Sequence, residues 1–438
     1  MAWAAEFDPI HAGYAPRLRT SVERLRGALL WLTGFAGAFV FMEPSPYEVA
    51  SMLAIIVFAL TGLKLRTAIM PMLMLLIVCN IGFSIAVIPV LSEPRTMMWV
   101  IVSWYMSTTA VFFAAVMAEN TQQRVSLLIR GYTLAALVAS LAGIVGYFNL
   151  VPRLSDLFLL FGRARGTFND PNVLGAFLVF PALVALQRAM SVQLSEMLRG
   201  GILLTVFVLA LLLSFSRAAW GQFAFCAALL LALTFMTSHS TRERMRIIAM
   251  SVAGIVFLAL LLAIILSLDQ VSALFEQRAS LDQDYDSGHT GRFGRHLLGF
   301  MLALESPFGI GPLQFARIFP EDPHNSYLNA FMSGGWISGF SYAALIILTL
   351  LVGLRFVFVA TPWRPTYLVV YVAFVGLAGE SIIIDSDHWR HYFLLLGVLW
   401  GLISASWRYR RTAVATGRNG AAGREFNRAR LAPAGRAA

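Results

Sequence analysis

Chemistry in this sequence must come from a few histidines and a set of arginines standing between long apolar runs. Asp322-Pro323-His324-Asn325-Ser326 opens one such run. Read as a helix start, it makes Asp322 the N-cap and Pro323 the first helical residue, and His324 falls in the first turn. A helix N-terminus and nearby guanidinium groups both disfavour an imidazolium, so a neutral His324 is placed to take a proton from a hydroxyl. An interfacial histidine that only hydrogen-bonds is the plainer alternative. Residues 291–305 read as a short helix stopped near Pro307, and Arg292 and Arg295, three apart, share one of its faces. Such a helix either rests on lipid headgroups or presents two cations to a diphosphate.

Arg217 closes Ser214-Phe215-Ser216-Arg217, a tight connection that keeps the guanidinium near the membrane surface, where it snorkels or meets a phosphate. Arg163 and Arg165 precede Gly166-Thr167-Phe168-Asn169-Asp170-Pro171-Asn172, in which Asn169 or Asp170 caps a helix and Pro171 enters its first turn. These two arginines suit either headgroups or an anion beside a helix N-terminus. Asp385-Ser386-Asp387-His388-Trp389-Arg390-His391 is the densest polar run late in the chain. There Asp387 is suited to orient an Arg or a His, or to hold a metal with Asp385. Asp282-Gln283-Asp284-Tyr285-Asp286 begins like a calcium loop but carries Ser287 at the sixth position and Phe293 at the twelfth, which excludes an EF-hand. No Walker loop, zinc spacing or nucleophile elbow is found.

The elements that must position these residues are membrane spans. Of 438 residues, 58% are apolar and 13% charged, which excludes a water-soluble enzyme. Apolar stretches at 26–43, 47–63, 67–90, 96–118, 126–148, 171–187, 200–216, 218–236, 247–268, 327–353, 366–384 and 392–406 predict an all-α bundle of about twelve spans. Both termini then lie on the same side. On that parse 23 of the 33 basic residues share the side of the termini, which the positive-inside rule makes cytoplasmic. The net charge of +10 thereby resolves into +16 on that side and −6 on the outer side, so the outer arginines stand among acids. The expected organisation is a cytoplasmic segment 1–25, a transmembrane domain 26–406 with a large outer loop 269–326, and a disordered basic tail 407–438 lying against anionic lipid. Cys79 and Cys226 both fall inside spans, which excludes a disulfide between outer loops. The basic balance is topological, and no nucleic acid is expected as partner.

In order along the chain, Gly166-Thr167-Phe168-Asn169-Asp170-Pro171-Asn172, Ser216-Arg217, Thr290-Gly291-Arg292 and His324-Asn325 at a span start resemble the O-antigen ligase and polymerase family of bacterial membrane glycosyltransferases. In that family nine residues and a Gly-x-x-Gly follow the His-Asn pair. Here Gly335 is the first glycine and Ser338 stands where the second is expected, with Gly339 next. The resemblance implies transfer of a glycan from an undecaprenyl-diphosphate donor to a hydroxyl acceptor at the periplasmic face of the inner membrane, without cofactor or metal. It also implies roles: His324 as base, Arg217 and Arg292 on the diphosphate, and Asp387 as an important aspartate of the last outer loop. Arg163, Arg165, Arg295 and Asn325 follow as substrate contacts. The acceptor is a lipid A–core for a ligase and a lipid-linked repeat unit for a polymerase. A lipid-linked oligosaccharide flippase is the third class such a topology allows.

Overall fold

The computed structural model describes residues 9–279, 291–319 and 321–415. The chain runs α1 (Pro9–Ala36), α2 (Pro46–Thr61), α3 (Met70–Ala86), α4 (Pro94–Met117), α5 (Thr121–Tyr147) and α6 (Pro152–Phe158). A two-residue hairpin follows, β1 (Leu159–Leu160) and β2 (Arg163–Ala164). Then come α7 (Pro171–Ala189), α8 (Leu194–Leu213), α9 (Arg217–Thr237), α10 (Thr241–Leu266), α11 (Asp269–Ala279), α12 (Arg292–Glu305), α13 (Phe315–Ile318), α14 (Ser326–Val357), α15 (Arg364–Glu380) and α16 (Arg390–Ala415). The protein is thus an all-α membrane protein. Each of the twelve apolar stretches overlies a helix, and eight of those helices are long and apolar enough to cross a membrane. Proline at the first or second position starts α2, α4, α6, α7 and α15, where its missing N–H has no intrahelical partner to lose.

Two ends of the chain differ from expectation. Helix α1 begins at Pro9, inside the segment read as a polar lead, and α16 continues past residue 406 to Ala415. Ala and Arg are good helix formers, and Arg408 donates to the Ala118 carbonyl and to Glu119, which fastens the extra turns of α16 to the α4–α5 connection. Residues 416–438 and the acidic run 282–286 lie outside the described residues.

The core gathers on α4, α7, α15 and α16, whose buried faces form one continuous cluster. Helix α10 is the opposite case: it is the most apolar of the eight, with a mean hydropathy of 2.9, yet almost none of it is buried within the chain. An apolar helix that buries so little against protein has lipid as its solvent. Arginines sort by end. Arg66 and Arg408 share Glu119, and Arg26 and Arg124 share Glu23, at the end where α1 begins and α16 finishes. At the other end Thr167 donates to the Ala38 carbonyl, Arg390 pairs with Glu43 and Glu48, and Ser326 N–H donates to the Ser381 carbonyl.

Helix α14 is broken once, at Gly335 (φ 67°, ψ −165°), a conformation essentially confined to glycine. The break admits the loop that follows α12. Ile310 N–H donates to the Met332 carbonyl (2.8 Å) and Trp336 N–H to the Pro307 carbonyl (2.9 Å). A Cβ on Gly335 would lie 2.3 Å from the Pro307 oxygen and 2.6 Å from the Phe308 carbonyl carbon, both backbone atoms that cannot swing aside. One turn on, Ser338 donates to the Cys79 carbonyl (2.7 Å) where α3 and α14 cross closely, so a hydroxyl here makes a bond that a glycine would lack. Gly335→Ala is therefore expected to destabilise the protein by about 1–3 kcal/mol from backbone strain alone. Thermal unfolding of the purified variant checks this, and a wild-type melting profile would refute the strain argument.

Candidate active site

The start of α14 is set by Asn325 rather than by Asp322. Asn325 is extended (φ −153°), and its Oδ1 accepts from Tyr327 N–H (3.0 Å) and Leu328 N–H (3.1 Å), which makes it the N-cap. His324 therefore stands outside the first turn, in the left-handed region at φ 51°. Asp322 is a good capping residue too, but the left-handed step at His324 separates it from the helix. Such a backbone costs a non-glycine residue of order 1–3 kcal/mol and persists only where surrounding contacts enforce it.

Those contacts come from the loop after α15. Asp385 Oδ1 accepts the Asn325 N–H (3.0 Å), while its Oδ2 lies 3.2 Å from His324 Nδ1. Ser326 Oγ is 3.1 Å from Ser386 Oγ and accepts the Ser386 N–H (2.7 Å), and Ser381 Oγ closes on Ser386 Oγ at 2.5 Å. A carboxylate at Nδ1 holds the proton on that nitrogen, which makes Nε2 the basic nitrogen of the ring. Glu321 Oε2 is 3.9 Å from Nε2. The imidazole is thus set among carboxylates. Its side chain is 29% exposed, enough for a hydroxyl to reach.

Asp387, the aspartate singled out from the sequence, has other partners. It accepts from Asn329 Nδ2 (2.6 Å) and faces His388 Nδ1 at 3.6 Å, while the other ring nitrogen of His388 is 2.9 Å from Ser103 Oγ. The aspartate that meets His324 is Asp385, which the sequence suggests only as a metal partner of Asp387. Burial pushes the Asp385 carboxyl above its ordinary range, and the Asp387 charge adds to that rise against the opposing hydrogen bond from His324. Asp322 is raised in the same way, by burial and then by Asp385.

Helix α12 faces this corner. Arg295 is buried and pairs with Glu321 at 2.5 Å, so it braces the segment leading to His324 instead of presenting its guanidinium outward. Arg292, one turn earlier on the same face, is half-buried. The ring of His296 lies against the backbone of Pro323 and His324, and burial holds it below the ordinary histidine range.

A second group of predicted residues gathers around the turn before α9. Ser216 is the N-cap, its Oγ accepting from Ala219 N–H (3.4 Å), and Arg217 is the first helical residue. Arg163 is buried, donating from Nε to the Ser214 carbonyl (2.8 Å) and from Nη2 to Asn172 Oδ1 (2.8 Å), so it ties the hairpin to this turn and to the start of α7. Burial, with the nearby Arg278 charge, lowers the Arg163 guanidinium to about 10. Asp170 caps α7 as expected, accepting the Asn172 N–H at 2.6 Å. Arg165 is half-buried and donates to the Leu157 carbonyl (3.2 Å). The structure thus brings His324 together with α12, and Arg163 with the Arg217 turn. Among the described residues no three His, Cys, Asp or Glu side chains are grouped to hold a metal ion.

Residues 202–343 match the family model described as O-antigen ligase. No curated protein matches the chain.

Asp385→Asn keeps an acceptor for the Asn325 N–H but no longer fixes the His324 proton, and it should slow any reaction in which His324 is the base by about 10²-fold. Because the folded carboxyl sits above its unfolded value, its contribution to stability is present at low pH and lost as pH rises through the raised value. Asp385→Asn should accordingly be no less stable than wild type at pH 7, as read by thermal unfolding. An unstable variant, or one of undiminished activity, would reduce Asp385 to a packing role.

Proposed function

We propose, from the match of residues 202–343 to the O-antigen ligase family model, that the protein transfers a polysaccharide from undecaprenyl diphosphate to a hydroxyl of a lipid A–core acceptor at the periplasmic face of the bacterial inner membrane. That match supports an O-antigen ligase or polymerase-type membrane enzyme. The specific reading is supported above all by the 3.2 Å contact of His324 Nδ1 with Asp385 beside the arginines of α12. In this proposal the protein crosses the membrane about twelve times, with both termini cytoplasmic and the His324 corner outside.

The acceptor hydroxyl gives its proton to His324 Nε2 as its oxygen bonds to the anomeric carbon. The bond from that carbon to the diphosphate oxygen breaks, and its electron pair leaves with the phosphate. Attack opposite the leaving group inverts the anomeric centre. Negative charge builds on the diphosphate in a region of low dielectric, where arginine forks positioned beforehand stabilise it without reorganisation. Arg292 and Arg217 are assigned that role, with Arg163, Arg165 and Asn325 as further substrate contacts. Arg295 positions the His324 segment through Glu321. Asp387 acts through Asn329, one turn into α14.

His324→Ala should lower the rate of glycan transfer from lipid diphosphate by about 10²–10⁴-fold while the protein stays folded. Arg217→Ala and Arg292→Ala should weaken donor use without affecting membrane insertion. Transfer at the wild-type rate by all three variants would overturn the assignment. The acceptor is decided by supplying the purified enzyme with lipid-linked donor and either lipid A–core or a second lipid-linked repeat unit. Productive transfer to the first only identifies a ligase, and to the second only a polymerase. With arginine carrying the electrostatic work, EDTA should leave the rate unchanged, whereas loss restored by Mg²⁺ would reinstate a carboxylate metal site.

A further inference from the structure

At the end of the bundle opposite the His324 corner, a cavity of about 630 Å³ opens between the last turns of α14 and α16. That volume lies within the range of ligand pockets. Its inner walls are Leu348 and Val352 of α14 with Ile403 and Trp400 of α16, and its mouth carries Arg355, Arg410 and Arg411. Both helices start at the active-site end and run toward this one. Their walls therefore grade from apolar to cationic in the same direction. The distance from Leu348 to Arg355 is about 10 Å, and that from Trp400 to Arg411 about 16 Å, at the helical rise of about 1.5 Å per residue.

Among the described residues no acid lines this cavity. Among the described residues none of the three arginines joins an ion pair, whereas Arg66 and Arg408, close by in the fold, share Glu119. The Arg411 guanidinium instead lies 4.7 Å from the centroid of the Trp407 ring, a cation–π contact that holds it at the rim. Three cations without acidic partners above an apolar slot specify an amphiphile: an anionic head at the mouth and hydrocarbon below it. We propose that this slot is a binding site for an anionic glycerophospholipid of the surrounding leaflet. Its phosphate lies among Arg355, Arg410 and Arg411, and an acyl chain lies along Leu348, Val352 and Ile403. A free phosphate engages the cations but leaves the apolar walls unfilled. A zwitterionic lipid brings its own cation to a cationic mouth and gains less there. The site is independent of the glycosyl-transfer reading.

The test uses the full-length protein, stripped of lipid in a neutral detergent and titrated with phosphatidylglycerol, phosphatidylcholine or inorganic phosphate. Native mass spectrometry reads the retained lipid, and thermal unfolding reads stability. Phosphatidylglycerol should be retained at least ten-fold more than phosphatidylcholine, and inorganic phosphate should not raise the melting temperature. The combined variant Arg355→Gln, Arg410→Gln, Arg411→Gln should bring phosphatidylglycerol down to the phosphatidylcholine level, while Arg242→Gln, an exposed arginine at the same end, should not. Val352→Trp fills the slot with the charges kept, and it should lower retention as well. Equal retention of the two lipids by wild type overturns the proposal. So does retention that survives Val352→Trp, whatever the charge variant does. Stabilisation by inorganic phosphate equal to that by phosphatidylglycerol also overturns it, reducing the site to an anion contact.

Discussion

One carboxylate holds the candidate site together. Asp385 uses one oxygen for the Asn325 N–H, at the point where α14 begins, and the other for His324 Nδ1. A single side chain thereby ties the backbone at the Asn325 cap to the imidazole just before it. The arrangement works only because His324 occupies a left-handed backbone, which turns its side chain back toward the loop after α15. That conformation is unfavourable by itself, and the serine cluster of Ser326, Ser381 and Ser386 helps to enforce it by stitching the two loops together. Strain at a residue with this chemistry, held by contacts on both sides, is the pattern expected where geometry matters to a reaction.

A second constraint fixes α12 against the same corner. The break at Gly335 lets the loop 307–310 hydrogen-bond into α14, and the pairing of Arg295 with Glu321 ties α12 to the segment that carries His324. Arg292 is therefore carried on a helix held at two places relative to the imidazole. Electrostatic stabilisation is effective when charges need not move as the reaction proceeds, and rigid attachment of this kind is how a protein supplies it. Burial of Arg295 in that brace is the cost of holding Arg292 in place.

The helices were legible in the sequence because a bilayer imposes a length and a composition on each of them, and the twelve apolar stretches all coincide with helices. The basic residues near residue 408 misled at the far end, since charge marks the end of an apolar stretch but does not stop a helix. His324 was legible from its place before an apolar run. Its cap was not, because Asp322 followed by Pro323 satisfies the local rules as well as Asn325 does, and only the positive φ at His324 decides between them. Asp385 and Asp387 lie two apart in a loop with no periodicity, so nothing local separates the one that meets His324 from the one that meets Asn329. Arg292 and Arg295 share a helical face, as the spacing required. Which of them is buried depends on Glu321, a residue outside that helix.

Charge partition gives the arginines different meanings at the two ends. At the His324 end the acids are used: Arg295 pairs with Glu321, Arg317 with Glu93, and Arg390 with Glu43 and Glu48. An arginine committed to an acid is held in place but has less charge to offer a ligand, so among these residues the structural task comes first. The end where α1 begins and α16 finishes holds the other group of arginines. Glu23 and Glu119 each serve two arginines there, and Arg355, Arg410 and Arg411 are left over an apolar slot. Cations that the described residues do not neutralise suit the anionic headgroups of the proposed lipid. In the proposed orientation, the excess that the positive-inside rule makes cytoplasmic also supplies the cations for an anionic lipid.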